Sequence, residues 1–531
     1  MLLPTRATYR PGEPIELELT PAAAPREVTV WHLGRRQATV DVAAAADRVV
    51  TPELAEGGYA VGLGDPGEAP TEWTAIEVLA NPIDRMRYGF VASFRPGRDP
   101  EPVTRLFRRL HLSAAQFYDW AYRHAQLMGP PEYADPLNQP VSLETVRALA
   151  SALRASGTAP IGYAAVYAVG DAEWSDWEHA ALLAPDGSTY ALADFLRIVD
   201  PADPAWLAHF TADVSRAFAE VGFAGFHLDQ YGYPRYAVRP DGRVVDVAAA
   251  FVELIAAVRR AVPDATLVFN NVNDFPAWSS TTAAQNVTYT EVWEPHDTLG
   301  DLAAVANRAR ALAPRRPAVV AAYQTVYAKE TVAAAEVANQ LTMATLFSHG
   351  ATQLLAGETG SVLVDPYYVN HHVATPSTVD MLARWYDLLV AAGDVLLAPG
   401  LADITRSVVG RHNDELDVAS ADPTLVIGHD PVPGTVWRRV VDTPHGLLVH
   451  LINLRGQPDA GWDTAKVPPM PVDGLRLRVR RVGASLPAIR VADPDRGPHF
   501  VELPVSLDGA NHAVAELPQL AVWQLVLVSH R

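Results

Sequence analysis

The chain has no cysteine among its 531 residues. That excludes disulfides, thiol catalysis and cysteine-held metals. Lysine is almost as scarce: of 42 basic residues only Lys329 and Lys466 are lysines. The 61 acidic residues leave a net charge of −19, which argues against nucleic acid and anionic membrane, since polyphosphate partners need clustered cations. A neutral sugar makes no such demand. No apolar run reaches the roughly 18 residues of a membrane-spanning helix. Nor does the N-terminus carry the basic and apolar regions of a secretory signal, so a cytoplasmic location is expected, or a secreted one if an export signal has been removed. HExxH, DxDxDG and glycine-rich phosphate loops are missing too, so no metal and no cofactor are expected.

What is present divides into three segments. Residues 1–84 read as a small β-sandwich: Ile15, Leu17 and Leu19 alternate with Glu16 and Glu18 after the turn at Arg10-Pro11-Gly12. Residues 85–398 alternate strands with amphipathic helices. Eight strands are predicted, at Gly89–Phe94, Ala115–Trp120, Ile161–Tyr167, Gly225–Asp229, Thr266–Asn270, Val287–Val292, Ala318–Tyr323 and Thr352–Ala356. Between them run helical stripes such as Val103, Leu106, Phe107, Leu110 and Phe251, Leu254, Ile255, Val258. Asp203-Pro204 supplies an N-cap and a first-turn proline for another helix. Eight such units predict a (β/α)8 TIM barrel. Residues 399–531 return to β alternation, at Leu447, Val449, Leu451 and at Leu475, Leu477, Val479, and predict a C-terminal β-sandwich.

Barrel enzymes work at the C-terminal ends of their strands. Those ends carry Asp119, Trp120 and Tyr122 after strand two, and Tyr163 on strand three. Strand four ends in His227, Asp229, Gln230 and Tyr231, strand five in Asn270 and Asn271. Strand six ends in Glu291 and Trp293, strand seven in Tyr323 and Gln324, and strand eight runs into Glu358. Carboxylates, amides and aromatics suit a pyranose, whose C–H faces stack on rings and whose hydroxyls need paired donors and acceptors. Glycosidic cleavage requires two carboxyl groups flanking the scissile bond, about 5–5.5 Å apart in retaining enzymes. Asp229 and Glu291 stand on strands near enough for that. On spacing alone Asp229 could equally cap a helix, Glu294 rivals Glu291, and His227 could orient substrate or fill the interior.

Five segments resemble glycoside hydrolase family 66, the family of dextranases and cycloisomaltooligosaccharide glucanotransferases. Tyr9-Arg10-Pro11-Gly12-Glu13 is similar to the start of its immunoglobulin-like N-terminal domain, and Tyr118–His124 to its second-strand signature. Gly225–Gly232 looks like the nucleophile segment, Tyr289–Trp293 like the acid/base segment, and Asp365–Asn370 like the loop after strand eight. The resemblance implies a barrel between two β-domains and an α-1,6-glucan substrate, an oligo- or polysaccharide being the expected partner. It implies Asp229 as nucleophile and Glu291, not Glu294, as acid/base, with Tyr367 and Asn370 joining the substrate-binding set. Two departures stand out. The family's glucanotransferases resemble dextranases carrying a carbohydrate-binding module after the strand-eight loop, whereas here Asn370 leads within about ten residues into the next helix, which favours hydrolysis over cyclisation. The stretch Asn273–Gln285 is short and less family-like. Transglycosylation and silent glucan binding are the alternative expectations.

Overall fold

The computed structural model describes residues 2–193, 195–410, 413–481, 483 and 485–529. The outermost ends of the expected first and third segments, Met1 and His530–Arg531, lie outside the described residues. The architecture is multidomain and built around one large curled sheet. Eight strands run parallel, each paired with the next: β1 Tyr88–Val91, β2 Ala114–Phe117, β3 Ala159–Ala165, β4 Gly225–Asp229, β5 Thr266–Val272, β6 Val287–Glu291, β7 Ala318–Ala321 and β8 Ala351–Gln353. A ninth piece, β9 Ala356–Gly357, pairs parallel with β1 through Gly357 and Phe90. The single strand expected at Thr352–Ala356 is therefore two short pieces. The chain steps sideways at Leu354-Leu355, so that one piece serves β7 and the other returns to β1.

Alternation decides what each strand buries. One face of the curl holds Tyr88, Phe90, Ile161, Val268, Tyr289, Val319 and Ala321 in a single interior cluster. The other face, with Phe117, Ala164, Phe226, Leu228, Phe269 and Val320, packs under the helices. These include α1 Glu101–Arg109, α2 Leu143–Ala155, α3 Pro204–Val221, α4 Val247–Ala261, α5 Leu299–Leu312, α6 Val332–Ser348 and α7 Pro376–Ala391. The expected stripes are the buried ones: Val103 and Phe107 on α1, and Phe251, Leu254, Ile255 and Val258 on α4, are fully enclosed. Asp203 caps α3 as its sequence suggests, accepting from the backbone N–H of Ala205 and Trp206 at 2.9 and 3.1 Å. Between β5 and β6 there is only the four-residue turn of helix Ala277–Ser280. No helix among the described residues is long and apolar enough to cross a membrane.

Before β1, two antiparallel sheets share one apolar cluster that includes Leu17, Val28, Val61 and Ile76. After α7, a seven-stranded and a four-stranded sheet share another, with Val440, Val449, Leu477 and Val526. Helix α7 packs against strands Gly57–Gly64, Glu72–Val78 and Gly497–Glu502, which meet one another beside it. At Gly58 a Cβ would lie 2.0 Å from the Val390 carbonyl oxygen, so only glycine admits the helix there.

Beside that junction lies a buried ionic group. Glu77 Oε2 stands 2.7 Å from Arg87 Nη1 with both side chains 0% exposed, and Asp394 accepts from Arg85 at 2.6 Å. Asp394 also meets His32 at 3.0 Å and the Gly58 N–H at 2.9 Å. Removing one member strands a charge in a low dielectric. Arg87→Met is accordingly expected to destabilise the protein by about 3–5 kcal/mol, read as a lowered thermal midpoint. A midpoint unchanged from wild type would show that the group carries no such load.

Candidate active site

The alternation that buries Phe226 and Leu228 outward turns His227 and Asp229 inward on β4. On β5 it turns Asn270 inward and Asn271 outward, and on β6 it turns Tyr289 and Glu291 inward. Asn270 stands between the two carboxylates. Its amide Nδ2 donates to Asp229 Oδ1 at 2.7 Å and to Glu291 Oε2 at 2.8 Å, which caps the separation of those two oxygens at 5.5 Å. The remaining oxygens each take a tyrosine: Tyr163 donates to Asp229 Oδ2 at 2.8 Å and Tyr323 to Glu291 Oε1 at 3.0 Å.

Burial raises both carboxyl groups above the ordinary carboxylate range. For Asp229 the rise is opposed by bonds from Asn270, Tyr163 and the Gln230 N–H. Glu291 is raised by burial and then by the charge of Asp229, against the bonds from Asn270 and Tyr323. The two groups titrate as a coupled pair, and once Asp229 is ionised its charge holds the proton of Glu291 to higher pH. Asp119 lines the same pocket and is pushed up to about 7, by burial first and then by Asp135 and Asp229. Below the carboxylates His227 is filler. It is buried against Tyr88 and Tyr289, with ring centroids at 6.0 and 4.6 Å, and burial pulls its pKa down to about 3.

The carboxylates open into a pocket of about 250 Å³. Asp119, His124, Tyr163, Asp229, Tyr231 and Glu291 form its polar side; Leu137, Leu192, Phe195, Leu196, Val272, Trp293, Pro366 and Tyr367 supply the apolar wall. Among the described residues, no group of three or more His, Asp or Glu side chains is placed to hold a metal ion.

Several residues expected here are not brought to the pocket. Alternation from Tyr118 would aim Trp120 inward, but Asp119 sits at φ +35°. The chain turns there, and Trp120 is buried outside the curl, donating to the Tyr163 carbonyl at 3.1 Å. Tyr122 packs edge-on against Tyr133. Asn271 faces outward and ties the Tyr289 carbonyl to Ser280. Gln324, one residue past the inward Tyr323, reaches α6 through Thr342 at 3.2 Å. Glu358 is held by Arg98 and by the N–H groups of Ala92 and Ser93, while Asn370 is exposed and bonded to Asp365. Gln230 touches the pocket, yet its amide is spent on the carbonyls of Asn270 and Phe275. Glu294, the rival acid, is exposed and lies outside the pocket lining. The expectations missed His124, although it closes a motif already singled out, and Val272, which shares a face with Asn270. Leu137, Leu192, Phe195, Leu196 and Pro366 come from connections whose composition carries no periodic signal.

Asn270→Ala removes the side chain that bonds both carboxylates. A 10²- to 10³-fold loss of kcat is expected, roughly that of deleting one preorganised donor. The acidic limb of the pH profile should also move upward, since the ionised form of Asp229 loses a donor. A pH-independent loss would argue against this role.

A family model described as glycosyl hydrolase family 66 matches residues 4–527. Two curated relatives, both cycloisomaltooligosaccharide glucanotransferases of Niallia circulans, are 25% identical over 346 and 300 residues. Those alignments cover 58% and 50% of this chain but 34% and 30% of the relatives, so the matched region spans about a third of their length. Among solved structures, a Paenibacillus cycloisomaltooligosaccharide glucanotransferase complexed with cycloisomaltoheptaose superposes over 99% of both chains, with a TM-score of 0.86 at 17% identity. The maltogenic α-amylase AmyB of Thermotoga neapolitana reaches 0.52 at 8% identity, over 85% of this chain and 100% of its own. At such identities the likeness is one of fold.

Proposed function

The chain belongs to glycosyl hydrolase family 66, and from that premise we propose that it cleaves α-1,6-glucosidic linkages of dextran or isomaltooligosaccharides by double displacement. The scaffold in this reading is a (β/α)8 barrel over residues 85–398, flanked by an immunoglobulin-like sandwich at 1–84 and a second sandwich at 399–531. The observation that carries the mechanism is the Asn270 bridge. An approach of Asp229 Oδ1 and Glu291 Oε2 to within 5.5 Å of each other suits a retaining pair, whose carboxyl groups stand about 5–5.5 Å apart, better than an inverting pair at about 6.5–9.5 Å.

Asp229, ionised, attacks the anomeric carbon as the C1–O bond breaks. Glu291 delivers its proton to the departing glycosidic oxygen. The glycosyl ester on Asp229 is then attacked at C1 by water, whose proton returns to Glu291, and Asp229 leaves as carboxylate. Activity should follow a bell in pH, with Asp229 setting the acidic limb and Glu291 the alkaline one. Both limbs lie above the ordinary carboxylate range because burial raises both groups.

Transfer to a sugar hydroxyl in place of water is the second reading. The glucanotransferase names of the relatives favour it, as does an apolar wall that offers an acceptor ring more contact than it offers water. NMR of the first product formed tests the mechanism: the α-anomer is expected, and initial β-anomer would overturn retention. Products at high substrate concentration separate the two readings, since hydrolysis leaves only shorter chains and transfer builds longer or cyclic ones.

A further inference from the structure

Strand β5 ends one residue short of what its neighbour β6 needs. Val272 stands opposite Glu291, so a continued parallel ladder would set residue 273 opposite Val292. There it would donate to the Glu291 carbonyl and accept from the Trp293 N–H. Asn273 makes the first of these bonds with its backbone N–H, at 2.8 Å. Its φ of +49°, followed by +64° at Asp274, then takes the main chain off the sheet. The second bond passes to the side chain: Oδ1 accepts from the Trp293 N–H at 2.7 Å, and Nδ2 donates to the Glu294 carbonyl at 2.9 Å. A primary amide carries the donor and the acceptor of a peptide unit, and asparagine enters the left-handed region more readily than most residues. One side chain therefore extends the ladder past the end of β5 and fastens the backbone on both sides of Trp293.

What is fastened bears on the reaction. Trp293 lines the pocket together with Glu291 and Val272 and keeps 39% of its surface exposed. Its ring centroid lies 5.6 Å from that of Tyr323, whose hydroxyl donates to Glu291. The indole N–H, the ring's one polar group, favours the ionised form of Glu291 against the rise that burial and Asp229 impose. The leaving sugar departs past the acid, and an acceptor enters by the same route, because the second step retraces the first. In transfer a sugar hydroxyl oxygen attacks C1, its proton passes to Glu291, and the bond from C1 to Asp229 breaks to restore the carboxylate. A ring beside Glu291 gives a sugar acceptor an apolar face to stack on and gives water nothing comparable.

We propose that Asn273 is a positioning residue: it holds Trp293 beside the acid/base, and through that ring it sets the share of glycosyl-enzyme taken by a sugar hydroxyl instead of water. The proposal rests on the double-displacement reading. Asn273 itself is not part of the pocket lining, so it acts through Trp293.

The test supplies the full chain with an aryl α-isomaltoside as donor and methyl α-glucoside as acceptor. Free isomaltose counts the glycosyl-enzyme that met water, and the methyl trisaccharide counts the part taken by the acceptor. Both come from one intermediate, so their ratio does not depend on how much of a variant is folded. Asn273→Gly suits the left-handed backbone and removes the amide. It is expected to lower the ratio of transfer to hydrolysis about five- to ten-fold, the size of one aromatic stacking contact. Trp293→Ala should lower it as far, and the double variant no further than either alone, since the two side chains act as one unit. An unchanged ratio in Asn273→Gly, losses that multiply in the double variant, or a wild-type enzyme that transfers to no acceptor would each overturn the proposal and leave the hydrolytic reading standing. No turnover of the aryl isomaltoside, of isomaltooligosaccharides or of dextran would overturn that reading, and the proposal with it.

Discussion

Asp229→Asn is expected to lower kcat by at least 10⁴-fold, on dextran and on an aryl α-glucoside with a good leaving group alike. The size comes from what is lost. An amide cannot form the glycosyl ester, and nucleophile deletions in covalent enzymes cost on the order of 10⁴ to 10⁶. The lower figure corresponds to about 5.5 kcal/mol of barrier. A better leaving group does not help, because the missing bond is the one to C1. Folding should not suffer. Burial raises the folded-state pKa of Asp229 above its unfolded value, so above the ordinary carboxylate range its ionised form costs stability, and that cost is relieved as pH falls through the raised value. A neutral amide removes it at pH 7, so the variant should melt at or above the wild-type temperature. Near-normal turnover of the aryl glucoside would sink the assignment outright.

Glu291→Gln should separate the two half-reactions. With dextran, whose leaving group is a sugar hydroxyl, loss of the acid is expected to cost about 10²- to 10⁴-fold. With an activated aryl glucoside the first step needs no acid, so Asp229 should still be glycosylated at close to the normal rate. Water would then attack without its base, and the intermediate should accumulate. Stopped-flow measurement of released phenolate should show a burst equal to the enzyme concentration, followed by a slow steady state with lowered KM. The alkaline limb of the pH profile should vanish, since the group that titrates there is gone. Equal losses on both substrates with no burst would transfer the acid/base role to another residue. Glu294 is a poor heir, being exposed and outside the pocket.

The contrast between Asp229 and Trp120 shows how far residues alone can be followed. Strand β4 begins and ends where its pattern predicts, and strict alternation then aims Asp229 inward beside Tyr163 and Asn270. At the end of β2 the same rule fails. One left-handed residue, Asp119, turns the chain aside, and Trp120 becomes core outside the sheet. Asn271 and Gln324 illustrate the same limit, since each has the chemistry of a sugar ligand and sits one position from a residue that reaches the site. A strand's face changes with every residue, so a polar strand end read without its register is assigned to the right place and the wrong side.

By itself the amino-acid sequence determined the kinds of chemistry open to this protein: no thiol, few lysines, a rim of carboxylates and rings, and alternation strong enough to lay down parallel strands. These are properties of single residues and of neighbours along the chain, where burial and period act locally. Only the tertiary structure decided that Asn270 should hold both carboxylates, one lying 41 residues before it and the other 21 after: the parallel pairing sets Asp229 just past the Leu228–Phe269 pair and Glu291 opposite Val272, one inward position beyond Asn270, so that its amide reaches both. It also decided the enclosure of the pocket. Leu192, Phe195 and Tyr367 belong to loops with no mutual pattern, and their meeting is set by where the strands that carry them stand around the sheet.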